Sequence, residues 1–264
     1  MLPYTTYLID LDGVIYRGNE LLPGAKEFVA WLETSQKKYI FLTNNSFATG
    51  AQILAKLAHL GIVTDDSHLL TAGQAAVQNI ARRFPGGVVY IVGEHPLIDL
   101  VTAQGLQVAS VDAQVADAVL VGLDRTFDFA KLTSAIRATR SGAFFITINR
   151  DPLLPVAGGF LPGCGTLAAA IEAGSGITPE VVGKPEPMLL QEAMHLLDSQ
   201  PDETVMIGDG LTVDILGGHN AGTHTLLLLS GSSSREDLEK SPIKPDHVYE
   251  DLADLMEEMA KSVG

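Results

Sequence analysis

Two aspartates at the end of an apolar run near the N-terminus constrain the fold of this chain most strongly. Tyr7, Leu8 and Ile9 are followed directly by Asp10-Leu11-Asp12-Gly13. Such a run is typical of a strand buried on both faces of a parallel sheet, and such sheets bind ligands beyond the carboxyl ends of their strands. Two carboxylates about 4 Å apart repel each other by about 4 kcal/mol at an effective dielectric constant of 20. The stretch therefore predicts a cation between the acids or a proton on one of them.

Two other interpretations of this stretch depend on the residues around it. An acid-x-acid-glycine sequence alone is equally typical of an ordinary surface turn. An EF-hand calcium loop also begins with Asp-x-Asp, but it needs a ligand at its fifth position and glycine at its sixth. Val14 and Ile15 occupy those positions, and the residues before Asp10 have the pattern of a strand rather than a helix. An EF-hand is therefore excluded.

Strands and helices alternate along the 264 residues, which predicts an α/β protein. Residues 1–80 and 180–264 are each incomplete alone and are expected to form one doubly wound, Rossmann-like domain with a parallel sheet. Pro85-Gly86-Gly87 interrupts the chain, and residues 81–179 have their own alternation of strands and helices. About a hundred residues are sufficient for a smaller α/β domain inserted into the larger one. Within the insert, the proline- and glycine-rich segment 149–163 predicts a long loop.

The hydrophobic pattern also predicts the positions of individual elements. Helices are expected at about 47–60 and 166–173. A strongly apolar strand is expected at 223–229, and the next predicted element is a terminal helix at 251–261.

Composition excludes several classes of function. The formal net charge of −15 argues against binding nucleic acid or an anionic membrane through a broad electrostatic field. It allows an anionic substrate, because a local cation can reverse the field within one site. The single cysteine, Cys164, excludes an intrachain disulfide and fits a reducing compartment. No basic segment precedes an apolar stretch at the N-terminus, and no run reaches transmembrane length. A cytoplasmic protein is expected.

Polar side chains follow four of the predicted strands. They form the groups Asp10/Asp12, Thr43/Asn44/Asn45, Lys184 and Asp209/Asp214. Because strand ends converge in a doubly wound sheet, these groups are expected to face one crevice. Hard oxygen ligands suit Mg²⁺, and an ammonium and a hydroxyl can donate to a phosphoryl group. A carboxylate can attack phosphorus while a second acid transfers a proton. The predicted chemistry is therefore phosphoryl transfer.

Each group alone also has an ordinary structural interpretation. Lys184 could be a surface lysine, the segment Thr43-Asn44-Asn45 could cap a helix, and Asp209 could belong to a turn. Asp214 could lie on a solvated helix face. Their order and their common position at strand ends favour a site over four separate coincidences.

These groups resemble, in order, the four motifs of the haloacid dehalogenase superfamily. The matching segments are Asp10–Val14, Leu42–Ser46, Gly183–Pro187 and Gly208–Ile215. The Thr-Asn-Asn-Ser and Gly-Lys-Pro-x-Pro forms are similar to those of its NagD-like, p-nitrophenyl phosphatase branch. Val121–Asp124 and Pro162–Leu167 in the insert are similar to that branch as well. The resemblance covers nearly the whole chain and identifies the insert as a cap domain of the C2a type.

The resemblance implies a Mg²⁺-dependent phosphatase that hydrolyses small-molecule phosphate monoesters through an aspartyl-phosphate intermediate. It assigns Asp10 as the nucleophile and a metal ligand. Asp12 is the implied general acid/base, and its backbone carbonyl also binds the metal. Asp209 is a further metal ligand, and Asp214 orients Lys184 or water on the metal.

The resemblance also implies the residues that bind the substrate. These are Thr43, Asn44, Asn45, Lys184 and, in the cap loop, Asn149 and Asp151. The cap loop would determine which phosphate ester is accepted, and nucleotides, sugar phosphates, phosphoglycolate and pyridoxal phosphate are all handled within the branch. Dimers formed through the cap agree with the resemblance.

Three positions depart from the pattern of the branch. Val213 stands where threonine usually precedes the last aspartate, and Gly210 stands where larger polar residues are common. Neither replaces a carboxylate, so activity is expected to survive. Arg150 stands where the cap loop often has proline, which adds a cation near the expected substrate.

Several alternatives to hydrolysis follow from the same residues. A phosphomutase of the superfamily shares both acids at positions 10 and 12. A non-catalytic protein that binds a phosphorylated metabolite would keep the site without turnover. A phospho-accepting signalling domain also uses Asp, Thr and Lys around Mg²⁺, but it would be about half as long and would have no cap. A halide-releasing enzyme needs no acid at the position of Asp12, which argues against it.

Overall fold

The computed structural model describes residues 2–45, 48–112, 115–156 and 158–261. Ser46 and Phe47, which belong to the second motif and to the predicted start of a helix, lie outside this part of the chain. The described strands are β1 (Thr6–Asp10), β2 (Tyr16–Arg17), β3 (Glu20–Leu21), β4 (Lys38–Thr43), β5 (Leu69–Thr71), β6 (Val88–Val92), β7 (Gln107–Val108), β8 (Ala118–Val121), β9 (Phe144–Thr147), β10 (Leu153–Val156), β11 (Gly159–Pro162), β12 (Glu180–Val181), β13 (Thr204–Gly208), β14 (His224–Leu228) and β15 (His247–Tyr249).

Helices alternate with these strands. They are α1 (Ala25–Thr34), α2 (Gly50–His59), α3 (Ala72–Arg83), α4 (His95–Ala103), α5 (Phe129–Arg140), α6 (Cys164–Ser175), α7 (Met188–Leu196), α8 (Leu216–Ala221), α9 (Arg235–Lys240) and α10 (Leu252–Lys261). A π-helical turn, Leu211–Ile215, leads directly into α8. No helix within the described ranges has both the length and the apolar composition that crossing a membrane requires.

The chain folds into two compact units. The first contains Met1–Thr43, Thr49–Leu70 and Lys184–Gly264. The second contains Asn44–Ala48 and Thr71–Gly183. The predicted boundaries of the domains, 1–80 with 180–264 and 81–179, stay a prediction, as does the assignment of the insert as a cap.

The first unit is built on a six-stranded sheet in the order β15-β14-β13-β1-β4-β5. β1 pairs in parallel with β13 on one side and with β4 on the other, and β14 and β15 continue the parallel pairing beyond β13. Tyr7, Leu8 and Ile9 of β1 are completely buried, as their apolar run predicts. The strand order reverses at β1, and in open α/β sheets the ligand crevice lies at such a point.

The second unit has its own five-stranded parallel sheet, in the order β12-β9-β8-β6-β7. Apolar side chains of the central strands pack against α5 and α6 to form its core, including Val119, Val121, Ala135, Phe145 and Ile171. The predicted fold class, an α/β protein with a Rossmann-like parallel sheet and an inserted smaller α/β domain, is therefore confirmed.

Several predicted boundaries differ from the observed ones for local physical reasons. The helix predicted at 47–60 begins at Gly50, because the Thr49 side chain accepts from the Gln52 backbone N–H and the Gln52 side chain accepts from the Thr49 backbone N–H. The helix predicted at 166–173 is longer and spans Cys164–Ser175.

One predicted loop, and one segment for which no element was predicted, contain regular structure. The segment 149–163 was predicted as a loop, but β10 and β11 pair within it as an antiparallel hairpin. Glycine at 158 and 159, with φ values of 85° and 155°, allows the reversal between these strands. α9 and β15 lie between the predicted strand 223–229 and the terminal helix. Ser234 and Asp237 form a capping box at the start of α9, a local signal that is visible in the sequence.

Candidate active site

The end of β1 places the first two candidate acids in different surroundings. Asp10 is the last residue of the strand, and only 14% of its side chain is exposed. The chain then turns, because the Leu11 carbonyl accepts from Ile15 N at 2.9 Å and from Tyr16 N at 3.1 Å. Leu11 is buried, whereas Asp12 is exposed. The pair therefore consists of one enclosed and one accessible carboxylate.

Lys184 joins two of the predicted acids. Its ammonium, of a side chain only 2% exposed, donates to Asp10 Oδ1 at 2.5 Å and to Asp214 Oδ1 at 2.7 Å. Lys184 lies shortly before α7, and Asp214 lies in the π-helical turn after β13. Three residues that are far apart in the sequence thus form one ion-pair network at the carboxyl end of the sheet.

Backbone N–H groups hold the second carboxylate oxygen of Asp214. Asp209 N donates to Asp214 Oδ2 at 3.2 Å, and Gly210 N donates to the same atom at 3.0 Å. Gly208 is required beneath this contact, since a Cβ atom there would lie 2.1 Å from Asp214 Cβ. Asp209 and Asp214 were predicted to lie beyond β13. They belong to one turn there, and these two hydrogen bonds close it.

The carboxylates of Asp10, Asp209 and Asp214 form an acidic cluster. Each has an oxygen within 4.8 Å of the others. Burial raises the pKa of Asp10 to about 7; Lys184 opposes that shift, and the nearby charges of Asp214 and Asp209 add to it. Burial also raises the pKa of Asp209, with a further contribution from Asp214. Among the described residues, the cluster thus has three carboxylates and one ammonium, that of Lys184. Negative charge is therefore in excess.

Lys184 stays protonated in this environment. Burial alone would lower the pKa of its ammonium, but the carboxylates of Asp10 and Asp214 outweigh that effect and raise it. A charged lysine can donate hydrogen bonds to an incoming anion without first gaining a proton.

The cluster fits a divalent cation in both charge and donor chemistry. Its donors are hard carboxylate oxygens, which Mg²⁺ and Ca²⁺ prefer over nitrogen or sulfur. A divalent ion would offset the excess negative charge of this cluster, which adds to the effect of burial in raising the pKa of Asp10 and Asp209. The residues within reach of such an ion are Asp10, Asp209 and Asp214, whereas the side chain of Asp12 is not part of this cluster.

Thr43 is the last residue of β4 and is half-buried. In the β1–β4 register its neighbour Leu42 lies opposite Asp10. Thr43 therefore lies one residue beyond the level of Asp10, at the same edge of the sheet.

The remaining predicted substrate residues belong to the second unit. Asn149 is buried, and its side chain donates to the Asn44 carbonyl at 3.4 Å and accepts from Asp151 N at 3.2 Å. Asn45 accepts from Ala48 N at 2.8 Å, as a turn or cap residue does. Arg150 and Asp151 are exposed. The structure thus brings Asn44, Asn149 and Asp151 together.

The glycines of the Pro162–Leu167 motif have a packing role. A Cβ atom at Gly165 would lie 2.2 Å from the Arg150 carbonyl oxygen, and one at Gly163 would lie 2.3 Å from the Asp151 carbonyl oxygen. Only glycine lets the start of α6 approach the Arg150–Asp151 backbone this closely. The motif therefore supports the loop that carries the predicted cap residues.

Sequence reasoning did not predict a cation beside Asp12. Lys56 of α2 places its ammonium 3.5 Å from the centroid of the Tyr16 ring. Burial lowers the pKa of Lys56, and the negative charge of Asp12 opposes that shift. Burial raises the pKa of Tyr16 to about 12, and Asp12 and Asp10 add to it. One sequence feature could have indicated this cation: Lys56 lies next to Leu57, a buried position of the amphipathic helix α2.

Comparison with known proteins gives these residues a family context. The family model "Haloacid dehalogenase-like hydrolase" matches residues 7–107, and a second model of hydrolases like the haloacid dehalogenases matches residues 181–255. The two matches contain all four strand-end groups.

Curated relatives and solved structures match almost the whole chain. An acid sugar phosphatase of Staphylococcus saprophyticus is 35% identical over 98% of this chain and 99% of its own. The 5'-nucleotidase YutF of Bacillus subtilis is 36% identical over 96% of this chain and 98% of its own. The structure of NagD from Escherichia coli K-12 superposes with a TM-score of 0.86 and 34% identity, over 96% of this chain and 98% of NagD. The chain therefore belongs to the haloacid dehalogenase-like hydrolases and is an enzyme of their NagD-like phosphatase branch.

Proposed function

We propose that this enzyme is a Mg²⁺-dependent phosphatase that transfers the phosphoryl group of a small phosphate monoester to Asp10 and then to water. The observation that carries the proposal is the Lys184 ammonium, 2.5 Å from Asp10 and 2.7 Å from Asp214 at the end of the central strand. Such an arrangement holds a buried carboxylate next to a cation that can receive the oxygens of a phosphoryl group.

In the first half-reaction an Asp10 oxygen attacks phosphorus, and the bond from phosphorus to the leaving oxygen breaks. The Asp12 carboxyl gives its proton to that oxygen, and its exposed position leaves it free to reach the leaving group. Lys184 and the Thr43 hydroxyl donate to the phosphoryl oxygens, with Asn44 and Asn45 nearby in the chain. The products are a free alcohol and phosphorylated Asp10.

In the second half-reaction the ionised Asp12 takes a proton from water as that water attacks phosphorus. The bond between phosphorus and the Asp10 oxygen breaks, which releases phosphate and restores the Asp10 carboxylate. Asp214 keeps Lys184 in place throughout, because its second oxygen is fixed by two backbone N–H groups. Asp12, which gave up its proton in the first half-reaction, is protonated again at the end of the cycle.

The proposed cofactor is Mg²⁺. Asp10 and Asp209 would bind it through their side chains, and Asp12 would bind it through its backbone carbonyl. Asp214 would orient Lys184 or water on the metal. When bound, the ion supplies positive charge to the transferring phosphoryl oxygens. The excess of carboxylate over ammonium in the cluster supports this assignment.

The proposed substrate is a phosphorylated sugar, either free or as the ribose phosphate of a nucleotide. The two relatives are named for acid sugar phosphatase and 5'-nucleotidase activities, and sugar phosphate is the chemistry that these names share. Asn149 and Asp151, with the cation of Arg150, would contact the sugar from the insert, which would act as the cap.

We further propose a cytoplasmic enzyme that forms homodimers through this insert.

Hydrolysis of p-nitrophenyl phosphate with and without Mg²⁺ tests the proposed chemistry. The wild type should require Mg²⁺, and Asp10→Asn should lose about 10³-fold or more of the turnover, because the nucleophile is gone. Asp202→Asn is a matched control, since Asp202 is exposed and lies at the opposite end of β13. Full activity of Asp10→Asn would contradict the nucleophile assignment, and wild-type activity in excess chelator would contradict the metal assignment.

A second variant separates the two acids. Asp12→Asn should lose about 10²- to 10⁴-fold in turnover, because proton transfer is lost. Its Mg²⁺ affinity, measured calorimetrically without substrate, should stay close to that of the wild type because the backbone carbonyl remains. A large loss of metal affinity would show that the Asp12 side chain binds the ion.

A further inference from the structure

The segment Ser230–Ser233, here called the serine loop, encloses the carboxylate of Asp209. Ser232 N donates to Asp209 Oδ2 at 2.5 Å. A Cβ atom at Gly231 would lie 1.9 Å from the same oxygen, and a Cβ atom at Gly13 would lie 2.3 Å from it. The Asp209 oxygen therefore fits between two glycine backbones, with one N–H group directed at it.

The serine loop also holds the backbone of Asp209 and the turn that follows. The Asp209 carbonyl accepts from Ser233 N at 3.1 Å and from Ser232 Oγ at 3.2 Å. Ser233 Oγ in turn accepts from Leu211 N at 3.0 Å. Both ends of Asp209, carboxylate and carbonyl, are thus fixed by neighbouring residues of one short segment.

A third set of bonds ties the serine loop to the turn after β1. Ser230 Oγ donates to the Gly13 carbonyl at 2.7 Å. The Arg17 guanidinium of the β2–β3 hairpin donates to the Ser230 carbonyl. The loop therefore connects the turn that contains Asp12 and Gly13 to Asp209, the residue that follows β13.

Most of these contacts are made to Asp209 and Gly13, although Ser233 is buried and also contacts Leu211 of a hydrophobic cluster. Ser232 is exposed, and Ser230 and Gly231 are half-buried. A segment held together mainly to bury apolar surface would not direct one N–H group at the Asp209 carboxylate and two further donors at its carbonyl. Hydrogen bonds to metal-binding groups fix their orientation, and their loss commonly reduces metal affinity by about 10- to 100-fold.

We infer that the serine loop is a positioning element that holds the Asp209 carboxylate and the Asp12–Gly13 backbone at the spacing required by one divalent cation. The inference rests on the proposed function, because it assigns these atoms to the same metal. None of the loop residues is assigned to the substrate or to the reacting atoms.

Binding of Mg²⁺ alone, measured by calorimetry on metal-free enzyme without substrate, tests this inference. Gly231→Ala places a methyl group where the Asp209 oxygen lies, so its Kd for Mg²⁺ should rise about 10- to 100-fold. Ser230→Ala removes the bond to Gly13 and should weaken binding in the same direction. Ser230→Thr keeps the hydroxyl and should restore the affinity. Ser234→Ala, at the cap of α9 beside the loop, should leave the Kd unchanged.

Kinetics distinguish positioning from a general loss of structure. At saturating Mg²⁺, Ser230→Ala should recover the kcat of the wild type, and only its requirement for metal should be higher. Wild-type Mg²⁺ affinity in both Gly231→Ala and Ser230→Ala would overturn the inference and leave the proposed function intact. Failure of the wild type itself to bind Mg²⁺ would overturn the inference together with the proposed metal dependence.

Discussion

At the scale of single residues, Lys184 connects the stability of the site to its chemistry. Its ammonium is shared by two buried carboxylates, and its own side chain is almost inaccessible to water. Replacing Lys184 with a neutral residue leaves the negative charge of its partners uncompensated. Breaking a buried ion pair in this way typically lowers the free energy of unfolding by about 3–5 kcal/mol. The replacement also removes a donor to the phosphoryl oxygens, and loss of one such donor lowers kcat by about 10²–10³.

Lys184→Met should therefore lose both stability and turnover. Urea unfolding in chelator at pH 8 should show the stability loss, and Mg²⁺ should restore part of it by neutralising Asp10 and Asp214. Lys131→Met is the comparison, because Lys131 pairs with the buried Asp124 at 2.7 Å in the second unit. Its stability loss should be the same with and without Mg²⁺. Turnover by Lys184→Met equal to that of the wild type would contradict the proposed role.

The side chains of the site were predictable from the sequence, whereas their supporting contacts were not. Asp10, Lys184, Asp209 and Asp214 were predicted to meet because each follows a buried strand or its connecting loop, and the structure brings them together. The serine loop gave no comparable signal. It acts through backbone N–H groups, serine hydroxyls and the absence of a Cβ atom at Gly231, and the pattern of apolar and polar residues does not specify these contacts.

At the scale of elements, the β10–β11 hairpin is the clearest departure from expectation. Proline and glycine in the segment 149–163 suggested a loop, although a two-stranded hairpin tolerates both at its unpaired edges. Leu153, Val156, Phe160 and Leu161 are 37–67% exposed on this hairpin. Exposed apolar side chains grouped on one element are typical of interaction surfaces, which supports the proposed dimer through the insert.

Phe160 provides a test of that dimer. Phe160→Ser removes the most exposed of these aromatic and aliphatic groups and should shift light-scattering mass from dimer toward monomer. Phe129→Ser is a suitable control, because Phe129 is 83% exposed on a different element of the insert, the start of α5. A monomeric wild type would contradict the dimer, and an equal shift in both variants would contradict the assignment to the hairpin.

At the scale of the whole molecule, the acidic cluster should make stability depend on pH when no metal is bound. The pKa of Asp10 is raised from 3.8 to about 7, so between these values the folded state binds more protons than the unfolded state. The free energy of unfolding should then fall as pH rises, by about 1.4 kcal/mol per pH unit for one proton. Asp209 acts in the same direction. Carboxylates with a lowered pKa, such as Glu94, act oppositely, but mainly below their ordinary pKa of 4.5, at the acidic end of this window.

Urea unfolding in chelator between pH 5 and pH 8 measures this dependence. The decrease in stability should be smaller in Asp10→Asn than in the wild type, and unchanged in Asp202→Asn. Added Mg²⁺ should stabilise the wild type more at pH 8 than at pH 5, because it binds the ionised carboxylates. Parallel curves for the wild type and Asp10→Asn would show that Asp10 is not the source of the effect.

The overall architecture followed from sequence more fully than the details did. The apolar run at Tyr7–Ile9 identified the central strand, and the separate alternation of strands and helices in the middle of the chain indicated a second α/β segment. β15 was not predicted because it has only three residues, His247–Tyr249, too few for a period of two to be recognised. Its position beside β14 depends on pairing between strands, which local sequence does not encode.

Trapping of a phosphorylated aspartate would show directly whether Asp10 is the nucleophile. Wild-type enzyme mixed with a ³²P-labelled sugar phosphate and Mg²⁺, and quenched in acid during turnover, should retain protein-bound label that hydroxylamine releases. Asp10→Asn should retain none, and Asp202→Asn should match the wild type. Peptide mapping should place the label on Asp10. Turnover by the wild type without any protein-bound label, or with label on a residue other than Asp10, would contradict nucleophilic catalysis by this aspartate.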